Sequence, residues 1–392
     1  MKVGDFCKTG AGGTPLKSNR SFYEGGNIPW LLSGEVGNRD ITETKKFITQ
    51  EGLDGSSAKM FPVNTVLIAM YGATAGEVGI LRCEASTNQA VCGILPNEKV
   101  LPEYLYYFFL NHKDLLIAQA VGNAQPNISQ LKIKNTEIPL PPIPEQKRIV
   151  ALLDTVFFDL EQTCAKTEQN LKNSRELFDS YLQQVFSQKG EGWVEKTLGE
   201  TVVVERGSSP RPIKNFQTTD EDGVNWIKIG DTKGITKYIT STKEKITPAG
   251  AEKSRKVNEG DFILSNSMSF GKPYIMATSG YIHDGWFVFR LPEYIDTEFF
   301  YYLLSSPFVQ KQFQTLSSGA IVKNISGDLV KKAHLPIPPL AEQKIIADKL
   351  IDTSKEIEKL EIIYKQKLNS IDELKKSILQ KAFSGELTTT AK

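Results

Sequence analysis

Cysteine and histidine are scarce in this 392-residue chain, at four and three. Cys7, Cys83, Cys92 and Cys164 are scattered without a C-x-x-C pair, and His112, His283 and His334 lie far apart. Neither a disulfide framework nor metal-ligand spacing is present, so a reduced, cytoplasmic setting is expected. Long apolar runs are also missing. Leu101–Leu110, interrupted by Pro102 and Glu103, falls short of a membrane span, and Met1–Asp5 lacks the apolar stretch of a signal peptide. No membrane partner is expected. Excess charge of one sign is absent too. The net charge is +1, with 13 basic and 13 acidic residues in 1–137 and 18 and 17 in 191–334. A protein that grips phosphates by bulk charge is basic, so stand-alone, non-specific nucleic-acid affinity is disfavoured.

Catalytic signatures are wanting as well. There is no G-x-x-x-x-G-K-[ST] phosphate cradle. Gly10-Ala11-Gly12-Gly13 is followed by Thr14-Pro15 and a polar tract that oppose a helix start, so it reads as a loop. An adenine methyltransferase needs a glycine-rich cofactor loop and an Asn/Asp-Pro-Pro-aromatic tetrapeptide. The Pro-Pro pairs here are flanked by Leu140 and Ile143, and by Ile337 and Leu340. These residues suit a protein that binds rather than catalyses.

What is present is a repeat. Ile138-Pro-Leu-Pro-Pro-Ile-Pro-Glu-Gln-Lys147 recurs as Leu335-Pro-Ile-Pro-Pro-Leu-Ala-Glu-Gln-Lys344, an offset of 197 residues. The offset holds without a gap to Ser187 and Ser384, with 18 of 50 positions identical. Preceding segments repeat more faintly. Val3-Gly4-Asp5 aligns with Leu198-Gly199-Glu200, Thr14-Pro15 with Ser209-Pro210, and Ile28-Pro-Trp30 with Val224-Asn-Trp226. Trp193-Val194-Glu195 stand ahead of the second copy, whereas the first begins almost at the equivalent of Val3. The expected order is variable domain (1–137), helix (138–190), variable domain (191–334), helix (335–392).

Both variable segments are rich in Gly, Ser, Thr and Asn, with short β-branched or aromatic runs at Thr65–Ala69, Val78–Leu81, Trp226–Ile229, Phe262–Leu264 and Trp286–Phe289. That pattern predicts a strand-dominated mixed fold, with a helix late in each domain at Glu103–Leu116 and Asp296–Phe313. The Trp30, Trp226 and Trp286 side chains read as core. After Pro144 no proline or glycine occurs until Gly190, and after Pro339 none until Gly385, which predicts two helices of about 43 residues and roughly 60 Å. The second carries a heptad seam of Ile346, Leu350, Thr353, Ile357, Leu360 and Tyr364, then a four-residue stutter to Leu368 and Ile371. The first shows Ile149, Leu153, Val156, Leu160, Leu171, Phe178, Tyr181 and Val185 around a polar middle of Thr163, Thr167, Asn170 and Ser174. Equivalent helices of a duplicated chain would pack antiparallel, as a coiled coil with a pseudo-twofold. The fold class is α+β.

Architecture and motifs together resemble the specificity subunit of type I restriction-modification systems. The resemblance rests on the twice-used Pro-Leu-Pro-Pro-x-x-Glu-Gln-Lys leader and on Ala382-Phe-Ser-Gly-Glu-Leu387. It rests also on Ile28-Pro-Trp30 with Ser33-Gly34, on Thr87-Asn88-Gln89-Ala90, and on Ile282-His283-Asp284-Gly285-Trp286. It implies two target-recognition domains, each reading one half of a bipartite site in double-stranded DNA, with helices that set the spacing. It implies partners as well: two methylation subunits using S-adenosylmethionine, and restriction subunits using ATP and Mg, with no cofactor in this chain. Two other readings stand beside it, a stand-alone DNA methyltransferase or nuclease and a protein-only coiled-coil adaptor. Base readout needs Arg, Lys, Asn, Gln, Ser or Thr on loops. The candidates in the first domain are Lys17, Asn19, Arg20, Ser33, Asn38, Tyr71, Thr74, Asn88, Gln89, Gln125 and Asn127. In the second they are Ser208, Arg211, Lys214, Lys228, Asp231, Lys233, Asn266, Ser267, Lys272, Lys323 and Asn324.

Overall fold

Short β-branched and aromatic runs become strands in both halves of the chain, and the two proline-free stretches become helices. The computed structural model describes residues 1–119, 127–188, 190–266, 271–317 and 326–387. Its five longest helices are α1 (Pro102–Ala118), α2 (Ile143–Ser187), α3 (Thr297–Ser305), α4 (Pro307–Ser317) and α5 (Leu340–Ser384). The chain divides into two compact units. One takes residues up to Thr167 together with those from Gln366 on, and the other takes Glu168–Lys365. The division falls inside α2 and α5, so each unit owns a part of both helices.

The first unit holds a five-stranded sheet in the order Thr9–Ala11, Val91–Ile94, Val66–Ala69, Val78–Leu81, Asp40–Ile41. Only the last pair is parallel, with Asp40 opposite Ile80. The second unit repeats this order with Val203–Arg206, Trp286–Arg290, Phe262–Ser265, Pro273–Met276 and Tyr238–Ile239, again with a parallel last pair. A second sheet accompanies each. In the first unit its centre is the parallel pair Ile28–Leu31 and Ala85–Thr87, in the second Val224–Ile227 and Gly280–Ile282. One pairing is unequal: Val194–Thr197 pairs along four residues with His334–Ile337, while the first unit has the single bridge Lys2 to Glu137.

The helix expected at Asp296–Phe313 is two helices. Pro307 disfavours helical geometry at the residue before it, and Ser306 is extended at φ −64° and ψ 146°. The Gly10–Gly13 run is not wholly a loop, since Thr9–Ala11 is an edge strand. Residues 229–232 form a short 3₁₀ turn rather than the end of a strand. Phe108 and Phe109 of α1 and Phe299 and Phe300 of α3 are buried in their units' cores, as are Trp30, Trp226 and Trp286.

α2 and α5 span equivalent residues at the offset of 197. Within the first unit Ile149 and Leu153 share a core with Leu379 and Ala382. Within the second, Leu182 and Phe186 share one with Ala347 and Leu350, and Arg175 meets Glu361 farther back. The paired segments therefore run antiparallel. One stripe of non-exposed positions on α2 runs through Ile149, Leu153, Val156, Leu160, Cys164, Thr167, Leu171, Ser174, Phe178, Tyr181 and Val185. The same register recurs on α5 at Ile346, Leu350, Thr353, Ile357, Glu361, Tyr364, Leu368, Ile371, Lys375, Ile378 and Ala382. The consecutive four-residue steps lie at Leu160 to Cys164 and at Ile357 to Glu361. Leu360, expected on the seam, is 39 % exposed, and Glu361 takes its place. Asn170 is exposed too.

The leader motif has a physical reason. Gln146 is fully buried; its Oε1 accepts from Leu101 N at 2.9 Å and its Nε2 donates to Lys99 O and Pro141 O at 3.0 and 2.8 Å. Gln343 repeats this with Asp296 N, Tyr294 O and Pro338 O at 2.8, 3.1 and 2.9 Å. Each glutamine ties the start of a long helix to the start of the helix packed on its sheet. The C-terminal motif is also structural. Phe383 sits edge-on to Tyr104 and Phe108, and Gly385 at φ +90° ends α5 in a conformation that suits glycine.

Candidate nucleic-acid interface

In each unit a glycine-bearing loop meets the loop that follows a strand of the second sheet, Ala85–Thr87 in one and Gly280–Ile282 in the other, in the same way. In the first, Gly12 N donates to Val91 O at 3.1 Å and Gly13 N to Thr87 O at 2.9 Å. In the second, Gly207 N donates to Trp286 O at 2.8 Å and Ser208 N to Ile282 O at 3.2 Å. A Cβ on Gly12 would lie 2.1 Å from Thr87 Oγ1, and one on Gly207 1.9 Å from His283 O, so only glycine lets the loops close this tightly. Trp30 Nε1 donates to Gly13 O at 3.1 Å and holds the first loop from behind.

At the tip a hydroxyl meets the facing loop. Thr14 Oγ1 donates to Gln89 Oε1, and at the repeat-equivalent place Ser209 Oγ donates to Asp284 Oδ1 at 2.8 Å. Around Gln89 the first unit gathers Tyr71, whose hydroxyl donates to Gln89 O at 2.9 Å, and Asn127, bridged to Tyr71. Asn88 adjoins them. Four of its expected loop residues, Tyr71, Asn88, Gln89 and Asn127, thus come together although 56 positions separate Tyr71 from Asn127. Lys17 and Arg20 are exposed on the segment after Pro15, where Asn19 Oδ1 caps the short turn at Ser21 N. Ser33 and Asn38 lie elsewhere, and Asn38 borders a concavity with Glu35, Asp40 and Glu43 that disfavours phosphate. Thr74 lies in a turn that closes from Glu77 N to its carbonyl oxygen.

In the second unit an open concavity of about 810 Å³ is lined by Arg211, Lys214, Trp226, Lys228, Glu244, His283 and Asp284, among others. Arg211 Nη2 donates to Asp284 Oδ2 at 3.1 Å, and Lys228 Nζ to Glu244 Oε1 at 2.7 Å. The hydrogen bond from Ser209 holds the Asp284 carboxyl below its usual range, and Lys228 does the same for Glu244. Burial lowers the His283 pKa. Its Nδ1 accepts from Gly285 N at 2.8 Å, which fits the neutral ring. Of the other expected residues, Asp231 caps a turn by accepting from Lys228 N and Lys243 N at 2.8 and 3.2 Å. Asn266 is buried and donates to Asp284 O at 2.8 Å. Lys233 is exposed beyond that turn, and Lys272 donates to Ile235 O at 3.1 Å. Gln125, Ser267, Lys323 and Asn324 fall outside the described residues.

Thr14, Ser209, His283, Asp284 and Glu244 escaped the residue-by-residue search, although Ile282–Trp286 stood out as a motif. Among the described residues no group of three or more His, Cys, Asp or Glu is arranged to hold a metal ion, and no helix is long and apolar enough to cross a membrane.

The type I restriction modification DNA specificity domain matches this chain twice, over residues 1–171 and 190–368. The MjaVIII type I restriction enzyme specificity subunit of Methanocaldococcus jannaschii is 25 % identical over 99 % of this chain and 92 % of its own length. The EcoR124I/EcoR124II specificity subunit of Escherichia coli is 31 % identical over 39 % of each chain, and the MjaIX subunit of Methanocaldococcus jannaschii is matched over 52 % of its length. The chain thus spans well under two thirds of those two relatives. In fold it resembles a chain of a type I R-M system solved for complex assembly and conformational transition, with TM-score 0.80, 20 % identity and coverage of 98 % and 96 %. It resembles also the HsdS subunit of Thermoanaerobacter tengcongensis, with TM-score 0.60, 19 % identity and the same coverage.

Proposed function

The chain belongs to the type I restriction-modification DNA specificity family, and we propose from that membership that it is the DNA-recognition subunit of such a complex, acting in the cytoplasm. Each unit reads one half of a bipartite site in duplex DNA, and α2 and α5 set the unread distance between halves. The observation that carries this reading is a duplicated loop framework with unlike tips. The Gly12 and Gly207 contacts repeat hydrogen bond for hydrogen bond, while the tips carry Gln89 in one unit and Asp284 with Arg211 in the other. Specificity needs a fixed scaffold and variable base-facing groups.

The subunit is non-catalytic in this reading. Two methylation subunits supply S-adenosylmethionine chemistry on adenine, and restriction subunits supply ATP- and Mg-dependent translocation and cleavage. A net charge of only +1 fits an assembly in which partners share the phosphate contacts. The test is reconstitution. The purified chain alone should neither methylate nor cut DNA, and a cognate methylation subunit should restore site-specific adenine methylation. Methyl transfer by the chain free of that subunit would overturn the assignment. Exchanging residues 191–334 for those of a relative should change one half of the methylated sequence only.

A further inference from the structure

The second unit's reading loop is organised around one carboxylate. Asp284 takes Ser209 Oγ on one oxygen and Arg211 Nη2 on the other, at 2.8 and 3.1 Å. Its backbone oxygen receives Arg206 Nε and Asn266 Nδ2 at 3.3 and 2.8 Å, so both flanks of the loop are held. The Arg211 side chain is nonetheless 80 % exposed. It stands between Pro210 and Pro212, whose rings restrict the local backbone. With one donor committed to Asp284, the guanidinium keeps most of its five N–H groups for a ligand.

The first unit lacks this pair. At the offset of 195 that relates Thr14 to Ser209, the place of Arg211 is taken by the exposed Leu16 and that of Asp284 by Gln89. Arginine and aspartate are therefore present together in one unit and absent together from the other, on a framework otherwise shared. A carboxylate beside an arginine repels phosphate, so the arrangement is ill suited to a backbone contact. Lys214 on the same concavity, exposed and in no ion pair among the described residues, suits phosphate better. A guanidinium held in one orientation matches the paired acceptors O6 and N7 on the major-groove edge of guanine, and holding it in advance lowers the entropy lost on binding.

We propose that Arg211 reads a guanine in the half-site bound by the second unit, with Asp284 as its positioning residue. The proposal rests on the DNA-reading assignment above. The experiment uses the complex reconstituted with its methylation subunits, with sequencing of methylated sites from a randomised duplex library. Exchange of residues 191–334 identifies the half-site of the second unit. That half should contain a G·C pair at which Arg211→Gln lowers discrimination about 10- to 100-fold, with the other half unchanged. Asp284→Asn should relax the same position by a smaller factor, a base-specific change that loop destabilisation alone would not produce. Arg211→Lys should fail to restore the preference, because an ammonium cannot bond bidentately. Lys214→Ala should weaken all sequences alike. The proposal is overturned if the second half-site holds no G·C pair. It is overturned equally if Arg211→Gln leaves every preference intact, lowers all sequences uniformly, or acts in the other half. A wild-type complex that methylates without any sequence preference would instead refute the underlying assignment, so the two failures differ.

Discussion

Glu361 occupies a seam position of α5 and receives both Nε and Nη2 of Arg175, from α2, at 2.8 and 3.0 Å. Lys365 adds a third contact at 3.0 Å. An ion pair thus fills a place where the heptad pattern would set an apolar residue, next to the four-residue step at Ile357.

The hydrogen bonds from Arg175 foremost, with Lys365, depress the Glu361 pKa to about 2. An unfolded glutamate titrates near 4.3, so ionised Glu361 stabilises the folded chain above about pH 4.3 and loses that effect as pH falls toward 2. The Arg175 side chain is 55 % exposed, and solvent screening limits the pair to about 0.5–1 kcal/mol. Glu361→Gln should cost about that much at pH 7 and flatten the acid limb of a melting curve recorded between about pH 4.5 and 2. An unchanged acid limb would show that other carboxylates dominate it.

Gln146 and Gln343 each satisfy one backbone N–H and two carbonyls while fully or almost fully buried. Replacing either with leucine keeps the volume and takes this partner from one backbone N–H and two carbonyls, most of them part-buried. A loss of roughly 2–4 kcal/mol is expected for each, read by denaturant titration. Glu145, half-buried and paired with Arg148 at the helix start, should tolerate alanine far better.

Gly207→Ala drives a methyl group against His283 O, and Gly12→Ala drives one against Thr87. Both contacts involve backbone or its close neighbours, so the loop must shift. Each variant should lose about 1–3 kcal/mol and should weaken recognition of its own half-site while sparing the other. Melting and methylated-site sequencing together would check this; loss of both half-sites from one variant would contradict independent reading.

α2 and α5 continue without interruption past residues 167 and 365. Their seams share one register, so four-residue insertions should be made in both, after Cys164 and after Glu361. Four residues add about 6 Å and roughly one turn, close to two base pairs at about 3.4 Å each. The unread spacer should lengthen by one or two base pairs, with both half-sites retained. An active variant that keeps the original spacer would mean that the helices do not measure the distance.

The duplication, the two long helices and the strand-rich character of the domains were legible in the chain itself. Each is written in local information: identical residues at a constant offset, absence of proline and glycine, and short β-branched or aromatic runs such as Val78–Leu81. Three things were decided by tertiary structure. The seam passes through Glu361 rather than Leu360, because a charged residue can face a partner helix when Arg175 is there to meet it, and apolar periodicity cannot see that partner. The role of Gln146 depends on carbonyls and an N–H up to 47 residues away. The paired loop tips are the clearest case. Ser209 and Asp284 lie 75 residues apart, as do Thr14 and Gln89. Strand pairing brings each pair together, and hydrogen-bond geometry at such distances is a property of the folded sheet, not of any sequence window.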